Sequence, residues 1–130
     1  MEKRYIFTLD VVMQSIIPHI EFVQGDTKVN VFEIDLKKNG EAIDLAGATI
    51  AVVFKKADGH TVIGQAQIAD AEHGKIEYRL GTQEIACPGR VDAEVQIYGS
   101  DGQRLTSKGF YFYVRAQLDD GQAIESTTEY

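Results

Sequence analysis

The residues able to do chemistry are few and scattered. Three histidines stand at His19, His60 and His73, one cysteine at Cys87, and serines at Ser15, Ser100, Ser107 and Ser126. Zinc needs three or four His, Cys or carboxylate ligands at recurring spacings, and general acid–base catalysis needs an imidazole held against a partner. His60 directly follows Asp58 and Gly59, which reads as a turn tip rather than a ligand set, while His19 follows Pro18 and His73 precedes Gly74 in equally loop-like settings. None of the serines sits in a Gly-x-Ser-x-Gly elbow, and no glycine-rich segment joins a strand to a helix to cradle phosphate. Cys87, beside Pro88, reads as a structural thiol. Asp119 and Asp120 lack the regular oxygen spacing of a calcium loop and read as a solvated exit from the last strand. The expectation is a protein that is not an enzyme and carries no metal or cofactor.

Charge removes further classes. The chain has 130 residues with 13 Lys plus Arg against 20 Asp plus Glu, a net charge of −7. That is the wrong sign for neutralising phosphates or anionic head groups, so neither nucleic acid nor membrane is expected as a partner. A single cysteine excludes an internal disulfide and fits folding in a reducing compartment. The opening MEKRYIFTLDVVMQSIIPHI is apolar in flavour, but Asp10 and Gln14 interrupt it and no small-residue cleavage pattern follows, which argues against a signal peptide.

The elements that would position any site are strands. Tyr5, Phe7, Leu9, Val11 and Met13 alternate along a first strand with one wholly apolar face, and Ile20 with Phe22 forms a short second element before Gln24, Gly25 and Asp26. Within TKVNVFEIDLK the apolar residues change phase between Val29 or Val31 and Phe32, Ile34 and Leu36, which predicts a bulge near Val31. Further half-buried strands are carried by Ile50, Val52 and Phe54, by Ile76, Tyr78 and Leu80, by Val91 to Ile97, and by the final GFYFYVRAQL. Only residues 42–48 or 82–86 would form a short turn of helix. Seven or more strands predict an all-β, immunoglobulin-like antiparallel β-sandwich, with a barrel as the alternative.

Three Asn/Asp-Gly pairs set the expected corners. A two-residue loop at Asn39 and Gly40 puts Lys38 opposite Glu41 and Leu36 opposite Ile43; one at Asp58 and Gly59 puts Phe54 opposite Ile63. At Asp101 and Gly102 the pairing of Tyr98 with Leu105 competes with a longer connection, because Gly99 and Ser100 also read as loop.

The aromatic residues carry more functional information than the polar ones. Six Tyr and six Phe occur with no Trp, and a carbohydrate-binding module usually stacks sugar on a Trp platform, so cell-wall glycan recognition is the alternative rather than the leading reading. Tyr111 and Tyr113 face away from Phe110 and Phe112, and amphipathic rings at a surface suit protein contacts. Tyr5, Phe7, Tyr111 and Tyr113 are therefore the candidate partner-binding residues, although Tyr5 and Phe7 would equally close the domain's own core.

The run from IEFVQGDTKV at residues 20–29 to KKADG at 55–59, then GKIEYRL at 74–80, the stretch from PGRVDAEVQI to YFYVR at 88–115 and the closing ESTTEY resemble the N-terminal domain of the baseplate upper proteins of tailed phages and prophages of Gram-positive bacteria. The ordered motifs Phe-x-Gln-Gly-Asp, Asp-Leu-x-Gly-Ala and Pro-Gly, followed by the aromatic strand, carry the likeness. The resemblance implies a structural virion component that is made in the host cytoplasm and located in the tail baseplate. It implies an immunoglobulin-like module, residues 1–118, that attaches to the tail hub, commonly a distal tail protein, with a polar exit at 119–130 leading to receptor-binding parts. It also implies a trimer in the full-length protein, of which this chain would be one domain.

Overall fold

A computed structural model describes residues 1–118. The chain forms β1 (Lys3–Asp10), β2 (Glu21–Val23), β3 (Asn30–Lys38), β4 (Glu41–Ala42), β5 (Thr49–Lys55), β6 (Thr61–Asp70), β7 (Lys75–Arg79), β8 (Gly89–Tyr98), β9 (Arg104–Thr106) and β10 (Phe110–Arg115). Residues 82–85 make only turns, so the short helix expected there or at 42–48 is not formed.

The strands hydrogen-bond in the order β1-β3-β7-β6-β5-β8-β10-β2, with β4 on β3 and β9 on β8. The sheet folds over along β6, whose Thr61–Ala66 half pairs with β5 while Gln67, Ile68 and Asp70 pair with β7 across a register irregularity between Ile68 and Asp70. β6 changes partner between Ala66 and Gln67, which is the corner between two layers, and the bulge follows it within the segment paired to β7, adding local twist. One layer is β1-β3-β7 and the other β5-β8-β10-β2, and the fold is the all-β sandwich that the alternation predicts. The bulge expected near Val31 is absent, because β3 keeps continuous register with both β1 and β7. Val31 is instead buried on the face opposite Phe32, and burial on both faces explains the phase change.

Two pairings are parallel, β1 with β3 and β10 with β2. After β1 the chain crosses to the other layer, lays down β2 beside β10, and returns to β3 at β1's side. Parallel neighbours need such a long crossover, and residues 11–29 supply it.

The three turns resolve into two types. Asn39 (φ 52°) and Gly40 (φ 83°) both have positive φ, the signature of a two-residue type I′ hairpin, and Lys38 lies opposite Glu41 as expected. At Asp58 the register differs from expectation: Phe54 pairs with Val62 and Val53 with Ile63. The Lys56 N–H donates to the His60 carbonyl at 2.9 Å, which leaves a three-residue loop whose last member, Gly59, has φ 86°. The Asp101 turn has the same form, with the Gly99 N–H donating to the Gln103 carbonyl at 2.8 Å and Tyr98 opposite Arg104. In both, the aspartate carboxylate accepts the backbone N–H two residues on, at 3.0 and 3.2 Å, so Asp selects the longer loop by bonding its own backbone.

The core lies between the layers. Phe32 on β3 packs on Phe7 of β1, Phe22 of β2, and Phe110 and Phe112 of β10, with centroids 5.5 to 5.8 Å apart. Gly64 inside β6 leaves room for Tyr78, whose hydroxyl occupies the space a β-carbon would fill. That hydroxyl donates to the buried Glu84 carboxylate at 3.2 Å, which also accepts the Gly81 N–H at 2.7 Å. Burial, with the neighbouring carboxylate, holds the Tyr78 phenol well above its ordinary range.

Candidate functional site

The polar residues able to do chemistry do not gather into one cluster among the described residues. His60 Nδ1 lies 3.1 Å from Asp58 and His73 Nδ1 2.8 Å from Asp70, both on exposed turn tips. The hydrogen bond to Asp70, with its charge, raises the His73 pKa above 6.5. Asp70→Asn is expected to lower the His73 titration, followed by NMR, because it removes the hydrogen-bonded charge that raises it. The buried Ser107 hydroxyl accepts the Val95 N–H at 3.0 Å and donates to the Lys108 carbonyl at 2.9 Å, pinning the chain between β9 and β10. Cys87 is a free, half-buried thiol. No three His, Cys, Asp or Glu side chains converge on a metal position among the described residues. Asp119, Asp120 and Ser126, with the exit segment 119–130, lie outside the described residues.

The outer faces of the two layers differ in kind. On β1-β3-β7, Glu33 and Glu77 are direct cross-strand neighbours, a repulsive arrangement by itself. Arg4 Nη1 bridges them at 2.6 and 3.1 Å, its Nη2 reaches Glu2 at 2.8 Å, Arg79 joins Glu2 at 2.6 Å, and Lys75 pairs with Asp35 at 2.9 Å. The charges of this face are largely paired with one another, with Ile6 of β1 exposed at 64% among them.

The other outer face carries the tyrosines. Strand β10 alternates strictly, placing Phe110, Phe112 and Val114 in the core and Tyr111 and Tyr113 outside, 47% and 40% exposed. Their rings meet edge to face at 5.8 Å and 80°, and the Arg90 guanidinium of β8 lies 4.0 Å over Tyr111. Arg90 also pairs with Asp92 at 3.0 Å, which fixes it there. Two rings at right angles, one with a face already covered by a cation, do not make the coplanar platform on which a sugar chain stacks.

Of the four candidate partner-binding residues, the fold brings Tyr111 and Tyr113 together and turns the other two inward. Phe7 is 6% exposed and packs against Phe32 and Phe110. Tyr5 is half-buried, edge-on to Phe22 at 5.4 Å, and its hydroxyl donates to the Glu21 carbonyl at 3.2 Å, tying the first strand to the last in the sheet order. Both serve the core of this domain.

The first strand also ends earlier than its apolar alternation suggests. Asp10, 3% exposed, accepts the N–H groups of Val12, Met13, Asn39 and Gly40 at 2.8 to 3.1 Å. Burial opposes its ionisation, yet the four backbone donors together hold the carboxyl well below the usual carboxylate range. The chain turns away there, and the following loop leaves Val12, Met13 and Ile16 exposed at 48%, 49% and 98%.

That loop and β10 enclose a groove of about 380 Å³. Its floor is Leu9, Ile17, Ile20 and Phe110, and its rim holds Gln14, Ser15, His19, Lys108 and the two tyrosines. Backbone hydrogen bonds fix both walls: the Lys108 N–H donates to the Asp10 carbonyl at 3.0 Å and the Tyr113 N–H to the Ile20 carbonyl at 3.1 Å. A shallower depression continues from it past Gly109 and Tyr111 to Arg90 and Lys55. Sequence reasoning reached the tyrosines through alternation but missed the groove, since Lys108 and His19 meet only because β1, its exit loop and β10 converge; the one local hint was the apolar Ile16 and Ile17 beside Pro18.

Comparisons with known proteins give a consistent assignment. The family model described as the BppU N-terminal domain matches residues 3–130. Among solved structures, the chain is similar to the N-terminal domain of phage TP901-1 ORF48, with a TM-score of 0.73 and 14% identity over 86% of this chain and 98% of that one. It is more distantly similar to CopC from Methylosinus trichosporium OB3b, with a TM-score of 0.50 and 12% identity over 78% and 87% of the two chains. At these identities the likeness is one of fold alone. A sequence search of curated proteins gives no match.

Proposed function

Because this chain belongs to the family of baseplate upper protein N-terminal domains, we propose that it is the module by which such a protein attaches to the tail hub, through a distal tail protein, while receptor-binding parts follow elsewhere in the full-length trimer. At the coarser level, it is an all-β structural domain of a phage tail baseplate and associates there with other tail proteins. The observation that carries the attachment reading is the contrast between the two outer faces: a lattice of mutually paired charges on one, and the exposed Tyr111 and Tyr113 beside a preformed groove on the other. Tyrosines that are half exposed in the free domain supply contact area at low entropic cost, and such residues concentrate the energy of protein interfaces. Tyr5 and Phe7 support that surface from within by holding the core beneath β10.

The test is capture of a purified distal tail protein, with masses of the separate and mixed proteins measured in solution. Tyr111→Ala with Tyr113→Ala is expected to weaken capture by about tenfold or more while leaving the melting temperature within a few degrees, since both side chains face solvent. Unchanged capture would remove these residues from the interface. Retention of the domain on purified wall polysaccharide, with no capture of the tail protein, would move the assignment to glycan recognition.

A further inference from the structure

Around the groove between the 14–20 loop and β10, the charge runs against that of the chain. The protein carries −7 overall, yet no carboxylate lines this groove, and its charged and titratable rim groups are Lys108 and His19. Among the described residues Lys108 makes no ion pair, and neither the Tyr111 nor the Tyr113 hydroxyl has a protein partner. The adjoining depression is charge-balanced, with Lys55 and Arg90 set against Asp92, which pairs with Arg90, and Glu94, so the uncompensated cation is Lys108 of the groove itself. An apolar floor with solvent-facing phenol hydroxyls and a cation on its rim matches an extended peptide that presents an aliphatic side chain flanked by carboxylates.

We propose that this groove receives an acidic, extended segment of the partner protein, with an aliphatic side chain seated over Leu9, Ile17 and Phe110 and a neighbouring carboxylate on Lys108 and the tyrosine hydroxyls. The inference rests on the attachment reading and specifies the chemistry of the partner. A second copy of this chain is an outcome of the test, read as self-association of the domain in solution. A glycan is a poorer occupant, for want of a stacking platform. The floor is already assembled by hydrogen bonds from Lys108 to Asp10 and from Tyr113 to Ile20, so binding requires little ordering of this domain.

The probe is the blocked peptide acetyl-Glu-Leu-Glu-Leu-Glu-amide, compared with its all-Gln and all-Lys counterparts, and binding is followed by amide shifts in 15N-labelled domain. The Glu peptide is expected to shift Gly109, Tyr111 and Tyr113 and to weaken with added salt; the Gln and Lys peptides should bind at least about fivefold more weakly. Lys108→Glu should abolish the effect and Lys108→Met reduce it, without altering the fold, because this side chain is exposed. Equal binding of the Gln peptide, shifts confined to β1, or indifference to Lys108→Glu would overturn the proposal, as would no binding by any peptide. If Lys108→Glu leaves capture of the distal tail protein intact while Tyr111→Ala abolishes it, the peptide proposal falls and the attachment reading stands. If capture is absent from the unaltered domain, the attachment reading falls by itself.

Discussion

Phe32→Ala is expected to cost about 3–5 kcal/mol of folding stability, the range for removing a large aromatic side chain from a packed core. The ring is fully buried, and its four aromatic neighbours come from both layers: Phe7 from the β1-β3-β7 layer, and Phe22, Phe110 and Phe112 from the other. Two of those contacts are edge to face, with interplanar angles of 80° and 83°. Such contacts add roughly 0.5–1.5 kcal/mol each beyond the area they bury. Truncation therefore leaves a cavity at the seam between layers, where neither layer can collapse without breaking backbone pairing. Against a typical net stability of about 5–15 kcal/mol, this single change brings the domain close to its unfolding threshold at 37 °C. Urea denaturation monitored by tyrosine fluorescence would measure it. Phe32→Leu should recover more than half of the loss, because volume counts for more than aromaticity at such a site. A cost below about 1 kcal/mol for Phe32→Ala would mean that the two layers are held together elsewhere.

How far the sequence disclosed this fold depends on the range of the signal. Alternation is a local property of the backbone, so the inward Phe110, Phe112 and Val114 and outward Tyr111 and Tyr113 were legible directly. The same alternation does not report strand direction, and the parallel pairing of β1 with β3 and β10 with β2 escapes it. The Asn39-Gly40 turn is legible because two positive φ angles favour that dipeptide, whereas a two-residue loop at Asp58-Gly59 lies one residue out of the observed register. There the aspartate bonds to the backbone of His60, making a three-residue loop that needs a positive φ only at glycine. Val31 shows a different failure: its change of phase is read as a bulge when one face alone is assumed to be buried, but it is buried opposite Phe32. The groove was illegible for the same reason as the Gly64 and Tyr78 contact, since each joins residues whose proximity is decided by the order of strands in the sheet.

Asp10 is the sharpest case of a residue whose role is invisible in sequence and large in structure. It stands in an apolar strand, where a carboxylate reads as an interruption, yet its two oxygens accept four backbone N–H groups from two separate segments. The parallel register explains the meeting: with Asp10 opposite Lys37, the ends of β1 and β3 coincide and the Asn39-Gly40 turn falls over the carboxylate. Asp10→Asn replaces one acceptor oxygen by a donor and sets N–H against N–H, leaving buried backbone donors unsatisfied. The melting temperature is expected to fall by roughly 10 °C, whereas Asp101→Asn on an exposed turn should shift it by no more than about 2 °C. Because the folded-state pKa is depressed, the stabilisation by the ionised form is present above the unfolded-state value near 3.8 and is lost as pH falls from there toward the folded-state pKa. Glu2, Asp58 and Asp70 are also depressed, by the Arg79 hydrogen bond for Glu2 and by hydrogen bonds from His60 and His73 for the aspartates. They titrate in wild type and variant alike, so they cancel in the difference between the two. That difference should stay constant between about pH 5 and 7 and shrink steadily below about pH 4 as the wild type loses what the variant never had. A gap that persists unchanged to about pH 2 would show that Asp10 acts through shape alone and that its charge contributes nothing.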